Sequence, residues 1–464
     1  MIGILNRKLI ISLVCLWACN AARLAADYHY VAQNGQTPGG PYTSWATAAS
    51  NIQEAVDAAT TNDTVVVGAG RYLLPPNPTN YWGSNIVFIN KPMTIRGSNG
   101  LPESTIIDGE GKYRGILAFY QQTTTNLFVI EGFTITNCHG TNNGGGVIFY
   151  SNNSASVGLF NSVLKNCIIV NNTAGGQWAG GVGAGVYGTQ PQGNWPNYLI
   201  TNCVINFNRA LYGATNGMGS AGGGIYLGYG TGIIVNCSII SNWATSGAGL
   251  YFSVCDMINC SIIGNLSTNG LDRAPNASVY EPRGAGLLSA TRARLYNCLI
   301  ASNISYMSSG GVRINGGTAN EMHNCTVVNN YSYGAGGNYG GTVYIPGGSL
   351  QVVNSIVVSN NPYHARNSVE GAGAYITNSC LIPTNFGSVN PVTMLITNPP
   401  QFTAISEANY RLTSGSPCVN TGLKLSWMAG ALDLDNHSRL DRFSGMVDMG
   451  CYEYAPRGIM FKVR

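Results

Sequence analysis

With charged residues at only 9% of this chain, the places where they gather are the first places to look for chemistry. One gathering is Asp272, Arg273, Glu281 and Arg283, followed by Arg292 and Arg294 and, further on, by Arg313. Arginines facing a sugar carboxylate would neutralise it. A nearby base would then take the proton α to that carboxylate, and an acid would serve the leaving oxygen. On this reading Arg283 and Arg313 are the catalytic cations. Glu281 or Lys165 is the base, if the fold brings them close, and Asp272 and Arg273 touch substrate. The plainer alternative is salt pairing within a long surface loop.

Aromatic side chains offer a second chemistry. Tyr187, Tyr226 and Tyr251 each follow a glycine-rich phrase, and Trp178, Trp195 and Trp243 lie near turns. Such rings present a broad apolar face with a polar tip, which suits a pyranose, although stacked rings also stabilise a solenoid without any ligand. His323 and His364 stand alone in the sequence, outside any ligand or triad pattern. No cofactor is expected, and no acidic cluster supports Ca2+.

Cys167, Cys203, Cys237, Cys260, Cys298 and Cys325 recur in one context, Asn-Cys-x-Φ-x-x-Asn with Φ aliphatic. The copies run from Asn166, Asn202, Asn236, Asn259, Asn297 and Asn324, and serine replaces cysteine at Ser355 and Ser379. Phe133 holds the same place in an earlier, shorter copy. Intervals along this column are 34, 36, 34, 23, 38, 27, 30 and 24 residues: a floor in the low twenties with variable additions. That is the mark of a coil of fixed circumference carrying turn insertions, whereas a helical repeat would hold its period. Within each unit the cysteine and the aliphatic residue two later share a strand face.

Glycine phrases precede a second strand at Gly144–Val147, Gly183–Tyr187, Gly222–Tyr226, Gly247–Tyr251, Gly284–Leu288 and Gly310–Arg313. Aligning them puts Arg313 in the outward column of Tyr187, Tyr226 and Tyr251. Stacked coils would pair every strand in parallel about 4.8 Å from its neighbour. Asparagines at the strand exits would then form an amide ladder. At that spacing the cysteine side chains stand further apart than a disulfide allows, so buried apolar thiols are expected. Cys418 and Cys451 could pair beyond the repeats.

A solenoid needs caps. Ile52, Ala55, Val56 and Ala59 mark a short amphipathic helix, with Ser50 and Gln53 as its capping box. Strands are expected near Thr64–Val67, Ile86–Ile89, Met93–Arg96, Thr105–Asp108 and Leu127–Ile130. Residues 1–26 read as an export signal: Arg7 and Lys8, an apolar run from Leu9 to Ala18, then small residues to a cleavage point near Ala26. Lipidation at Cys19 is the alternative. Residues 27–130 form the N-terminal cap and first coils and 131–390 the repeats, which fade after Asn385. Residues 391–464 form an irregular C-terminal cap, in which Asp433, Asp435 and Asp448 suit cap salt bridges or a structural cation.

Together these features resemble the pectate-lyase-like superfamily of right-handed, single-stranded parallel β-helices. Tyr30-Val31-Ala32, Ser44-Trp45-Ala46, Asp63 to Val67 and Gly70-Arg71-Tyr72 open the chain. Tyr410-Arg411-Leu412, Gly415 to Cys418, Asp433-Leu434-Asp435, Arg439 and Asp448 to Glu453 close it. These phrases are similar to secreted bacterial choice-of-anchor Q domain proteins and span nearly the whole mature chain. The superfamily implies polysaccharide lyase or hydrolase activity, but its acidic motifs do not carry over. Between Glu110 and Gly430 the aspartates are Asp256 and Asp272, sixteen residues apart.

Two function classes follow. One is an extracellular polysaccharide-binding enzyme of the lyase type acting on an acidic glycan. The other is a non-catalytic surface or matrix adhesion protein. A net charge of +4 gives no reason to expect nucleic acid, no transmembrane span is expected after the signal, and a monomer is the simplest assembly.

Overall fold

The computed structural model describes residues 26–73, 84–120, 127–151, 162–175, 181–189, 197–211, 219–268, 283–306, 308–333, 342–360, 369–370, 373–382, 392–441 and 444–455. A representative coil runs through Val147–Ser151, Ser162–Lys165, Ile168–Val170 and the two-residue Thr173–Ala174. These four strands define a first, second and third face and a short-strand corner. Each pairs in parallel with its counterpart in the next coil, giving a 30-stranded sheet for the three faces and a 7-stranded one for the corner. The chain is a right-handed parallel β-helix.

Register follows the Asn-Cys units. Ile168 lies against Val204, Val204 against Ser238, and Ser238 against Ser261, which stacks the preceding cysteines over one another. Cys167, Cys203, Cys237, Cys260, Cys298 and Cys325 are buried free thiols, as the spacing argument expects. Burial pushes Cys298 and Cys325 well above the usual thiol range. Cys418 and Cys451 are also buried and free, so the cap carries no bond between them. Inside the coils Ile135, Ile169, Ile205, Ile239, Ile262, Ile300 and Val327 form a fully buried aliphatic column, one residue per coil.

Asparagine has two jobs rather than the single ladder expected. The first asparagine of each unit turns the corner between the second and third faces in the left-handed region. Asn166, Asn202, Asn236, Asn259 and Asn297 have φ between 52° and 53°. Asparagine tolerates that conformation because its short amide bonds locally. The last asparagine points inward and is fully buried at Asn172, Asn208, Asn242, Asn265, Asn303 and Asn330. Oδ1 of Asn242 accepts from the backbone N–H of Asn208 at 3.0 Å and from its Nδ2 at 3.0 Å. Nδ2 of Asn242 donates to Ile205 O at 2.9 Å, which satisfies polar groups that water cannot reach. Another left-handed corner leads into the first face, and there Gly183, Gly222 and Gly247 place the chain where a Cβ would meet that of the following Tyr within 3.0 Å.

The N-terminal helix, Ile52–Ala58, buries Ile52, Ala55 and Val56 against the first coil. Its capping box lies one residue later than expected. Asn51 Oδ1 accepts from Glu54 N at 3.0 Å, and Glu54 Oε2 accepts from Ser50 N at 3.3 Å. Gln53 instead turns inward, exchanging hydrogen bonds with the backbone of Phe88 at 2.7 and 3.1 Å.

Parallel stacking continues past the repeat units to Val392–Ile396, which pairs on Ala374–Leu381. A two-stranded antiparallel pair follows, Phe402–Ala404 with Asn409–Leu412. The tail then doubles back over the third face, where Tyr410, Leu412, Cys418, Met449 and Cys451 cover Leu299, Val328, Ile356 and Cys380. Corner asparagines receive it: Asn297 donates to Leu432 O at 2.7 Å, Asn324 to Asp448 O at 3.0 Å and Asn354 to Leu423 O at 2.7 Å. Arg439, fully buried, bonds Glu453 at 2.9 Å and the carbonyls of Asp448 and Gly450. Arg411 pairs with Asp435. The acidic residues of the closing phrase thus serve as cap hydrogen-bond and salt-bridge partners.

Candidate functional site

Strand alternation on the first face turns one residue of each coil outward. Register then makes a column of Ile148, Tyr187, Tyr226, Tyr251, Leu288, Arg313, Tyr344 and Glu370. The place assigned to Arg313 from the glycine phrases is the one it occupies. Tyr187 and Tyr226 stack with centroids 5.5 Å apart and planes 18° off parallel, and Tyr226 and Tyr251 at 5.0 Å and 10°. The three rings form a partly exposed aromatic strip.

Arg313 is positioned from three sides. Its Nη1 donates to Ser308 Oγ at 2.7 Å, its Nε to Asn315 Oδ1 at 2.7 Å, and its Cζ lies 5.1 Å from the centre of the Tyr344 ring. A guanidinium so held keeps its charge at a fixed height on the column. Arg283 lies in the corner leading into the first face, bridged between Ser246 and Ser308. A Cβ on its neighbour Gly284 would come 3.2 Å from that of Arg313, so the two arginines share this corner.

Lys165 is not brought to them. It sits on the second face, paired with Glu131 at 3.0 Å, five coils before Arg313 and so about 24 Å away along the axis. Lys165 stands two residues before Cys167, ahead of the Asn-Cys corner, whereas Arg313 follows a glycine corner in the Cys325 coil, so the two differ in face as well as in height. Trp243 belongs to the short-strand corner rather than this column, with Arg209 4.5 Å over its ring. Glu281, Asp272, Arg273, Trp178, Trp195 and His364 lie outside the described residues.

Arg292 and Arg294, part of the charged gathering in the sequence, join a second group whose other members the sequence did not connect with them. On the second face, Asp256, Arg294 and Glu321 are register neighbours, as are Tyr296 and His323. Arg294 clamps Asp256 with bonds of 2.8 and 2.5 Å, and Arg292 reaches the same carboxylate at 3.4 Å. The Tyr296 hydroxyl donates to Glu321, while its ring meets His323 edge-on at 5.3 Å and Trp427 of the cap at 5.3 Å. The signal was available. Asp256, Arg294 and Glu321 each stand four residues before a column cysteine, and Tyr296 and His323 stand two before. His323 and Tyr296 are buried, so this group ties the cap to the second face and offers little surface to a polymer.

Among the described residues no group of three or more His, Cys, Asp or Glu is arranged to hold a metal ion, and no helix is long and apolar enough to cross a membrane.

Comparison with known proteins finds no matching family model and no matching curated protein. Among solved structures, the fold matches that of pectate lyase Pel9A over 92% of this chain and 96% of that one, with a TM-score of 0.53. The identity is 16%. That likeness is one of fold.

Proposed function

We propose that this is an exported β-helix that holds an acidic polysaccharide lengthwise along its first face. One observation carries the reading: register places three partly exposed tyrosines and a fixed guanidinium, itself 9% exposed, in a single outward column parallel to the axis. A linear glycan laid on it meets apolar ring edges and hydroxyls over Tyr187, Tyr226 and Tyr251, and a cation at Arg313. The fold is one that a pectate lyase also uses.

The reaction this column would serve is β-elimination. Arg283 and Arg313 neutralise the sugar carboxylate, a base removes the α proton, the glycosidic C–O bond breaks, and the leaving oxygen takes a proton. Glu281 is the base assigned on sequence grounds. Binding without turnover is the second reading, favoured by the sparse carboxylates. Among the described residues the column holds one, Glu370, two coils past Arg313.

Incubation with polygalacturonate and alginate separates the two readings. Growth of ultraviolet absorbance from an unsaturated sugar supports elimination. Retention on the polymer without that absorbance supports binding alone, and neither signal on any acidic polysaccharide refutes the proposal.

A further inference from the structure

The short-strand corner carries a row of side chains that the first-face column does not use. Its register runs His139, Thr173, Arg209, Trp243, Leu266, Ile304 and Tyr331, six coil steps or about 29 Å. Beyond Ile304 and Tyr331 stand Tyr306 and Tyr333, 47% and 51% exposed and stacked at 5.0 Å, with Tyr331 edge-on to Tyr333 at 4.3 Å. At the other end the row enters an open pocket of about 440 Å³ lined by Arg71, Asp108, Glu110, Asn137, His139 and Asn171.

That pocket is a built arrangement. Asp108 is buried and accepts from Arg71 at 2.8 and 3.0 Å, from Asn137 Nδ2 at 3.3 Å and from Glu110 N at 2.8 Å. Burial, helped by Arg114, lowers the pKa of His139, so its imidazole is neutral near pH 7. The Arg71 cation is paired with Asp108, and Glu110 leaves an exposed carboxylate on the rim that disfavours an anionic ligand. Convergent hydrogen-bonding groups at one end of a row that finishes on exposed aromatic rings fit a polyhydroxylated chain better than a lipid or an acidic polymer.

We propose that this corner is a second carbohydrate site, taking an uncharged linear oligosaccharide with one end in the Asp108 pocket and its length along the Trp243–Tyr333 row. It does not rest on the acidic-glycan reading, because it uses another edge of the coil and other residues.

Titration calorimetry with cellohexaose, xylohexaose and mannohexaose tests it on the whole protein. At least one should bind. Affinity should fall about tenfold in Tyr333→Ser, whose exposed ring leaves the fold intact, and similarly in Glu110→Gln and Trp243→Ala. Arg313→Gln should bind the neutral sugar as the native chain does. The proposal is overturned if no neutral hexasaccharide binds, if Tyr333→Ser and Glu110→Gln bind it unchanged, or if hexagalacturonate alone binds here.

Discussion

Arg313 and Tyr344 face each other one coil apart in the same outward column, with the guanidinium carbon 5.1 Å from the ring centre. Ser308 and Asn315 complete the hold on that charge. Arg313→Ala should destabilise the chain by about 1–3 kcal/mol, because it leaves hydroxyl and amide partners unpaired and uncovers the ring. Arg313→Lys keeps the charge but not the two directed bonds, and should recover only part of the loss. Urea denaturation followed by circular dichroism measures both.

The inner asparagine ladder is the most exacting feature of the coils. Asn242→Ala would strand the backbone N–H of Asn208 and the carbonyl of Ile205 in the core, with an expected cost of about 2–4 kcal/mol. Asn236, at an outer left-handed corner, should behave differently. Asn236→Gly should be nearly neutral and Asn236→Ala should cost about 1 kcal/mol, from conformation rather than lost burial. Thermal melts of the three variants check the order.

The cap should weaken as pH rises. Burial pushes Glu453 up to about 8 from its ordinary 4.5, against the pull of the neighbouring Arg439 cation. A carboxyl raised on folding favours the folded state in its protonated form. Its contribution is therefore full below pH 4.5 and is lost as pH climbs through about 8. Glu453→Gln should flatten that part of the stability profile, which melting temperatures across the pH range would show. Asp63 titrates in the opposite sense. Burial acts to raise it, but Thr60, Asp27 and His29 outweigh that and hold it below 3.8, so its stabilisation fades only as pH falls through that lowered pKa.

Thiol reagents test the cysteine column. Buried thiols pushed well above their usual range should resist Ellman's reagent in the native protein and react on unfolding. Prompt reaction of Cys167, Cys203 or Cys298 in the native state would mean the column faces solvent.

The architecture could be read from sequence because a solenoid repeats its solution. Every Asn-Cys unit must turn the same corner and fill the same core layer, so side chains tens of residues apart are forced into comparable patterns. Arg313 was placed correctly by that logic. Lys165 was not: it precedes the Asn-Cys corner in the Cys167 coil while Arg313 follows a glycine corner in the Cys325 coil, so both height and face separate them. The returning tail left no periodic trace, so the contacts of Trp427 with Tyr296 and of Arg439 with Glu453 appear only in three dimensions. The capping box slipped by one residue because Gln53 found a buried backbone partner at Phe88, which local sequence does not reveal.

Affinity for polygalacturonate, compared between the native chain and Tyr226→Ser combined with Arg313→Gln, tests the account most directly. The native protein should bind, more weakly as salt rises, and the double variant should lose about a hundredfold in affinity while keeping its β-sheet spectrum. Equal binding by both proteins, or no binding by the native one, would contradict the claim that this column holds the polymer.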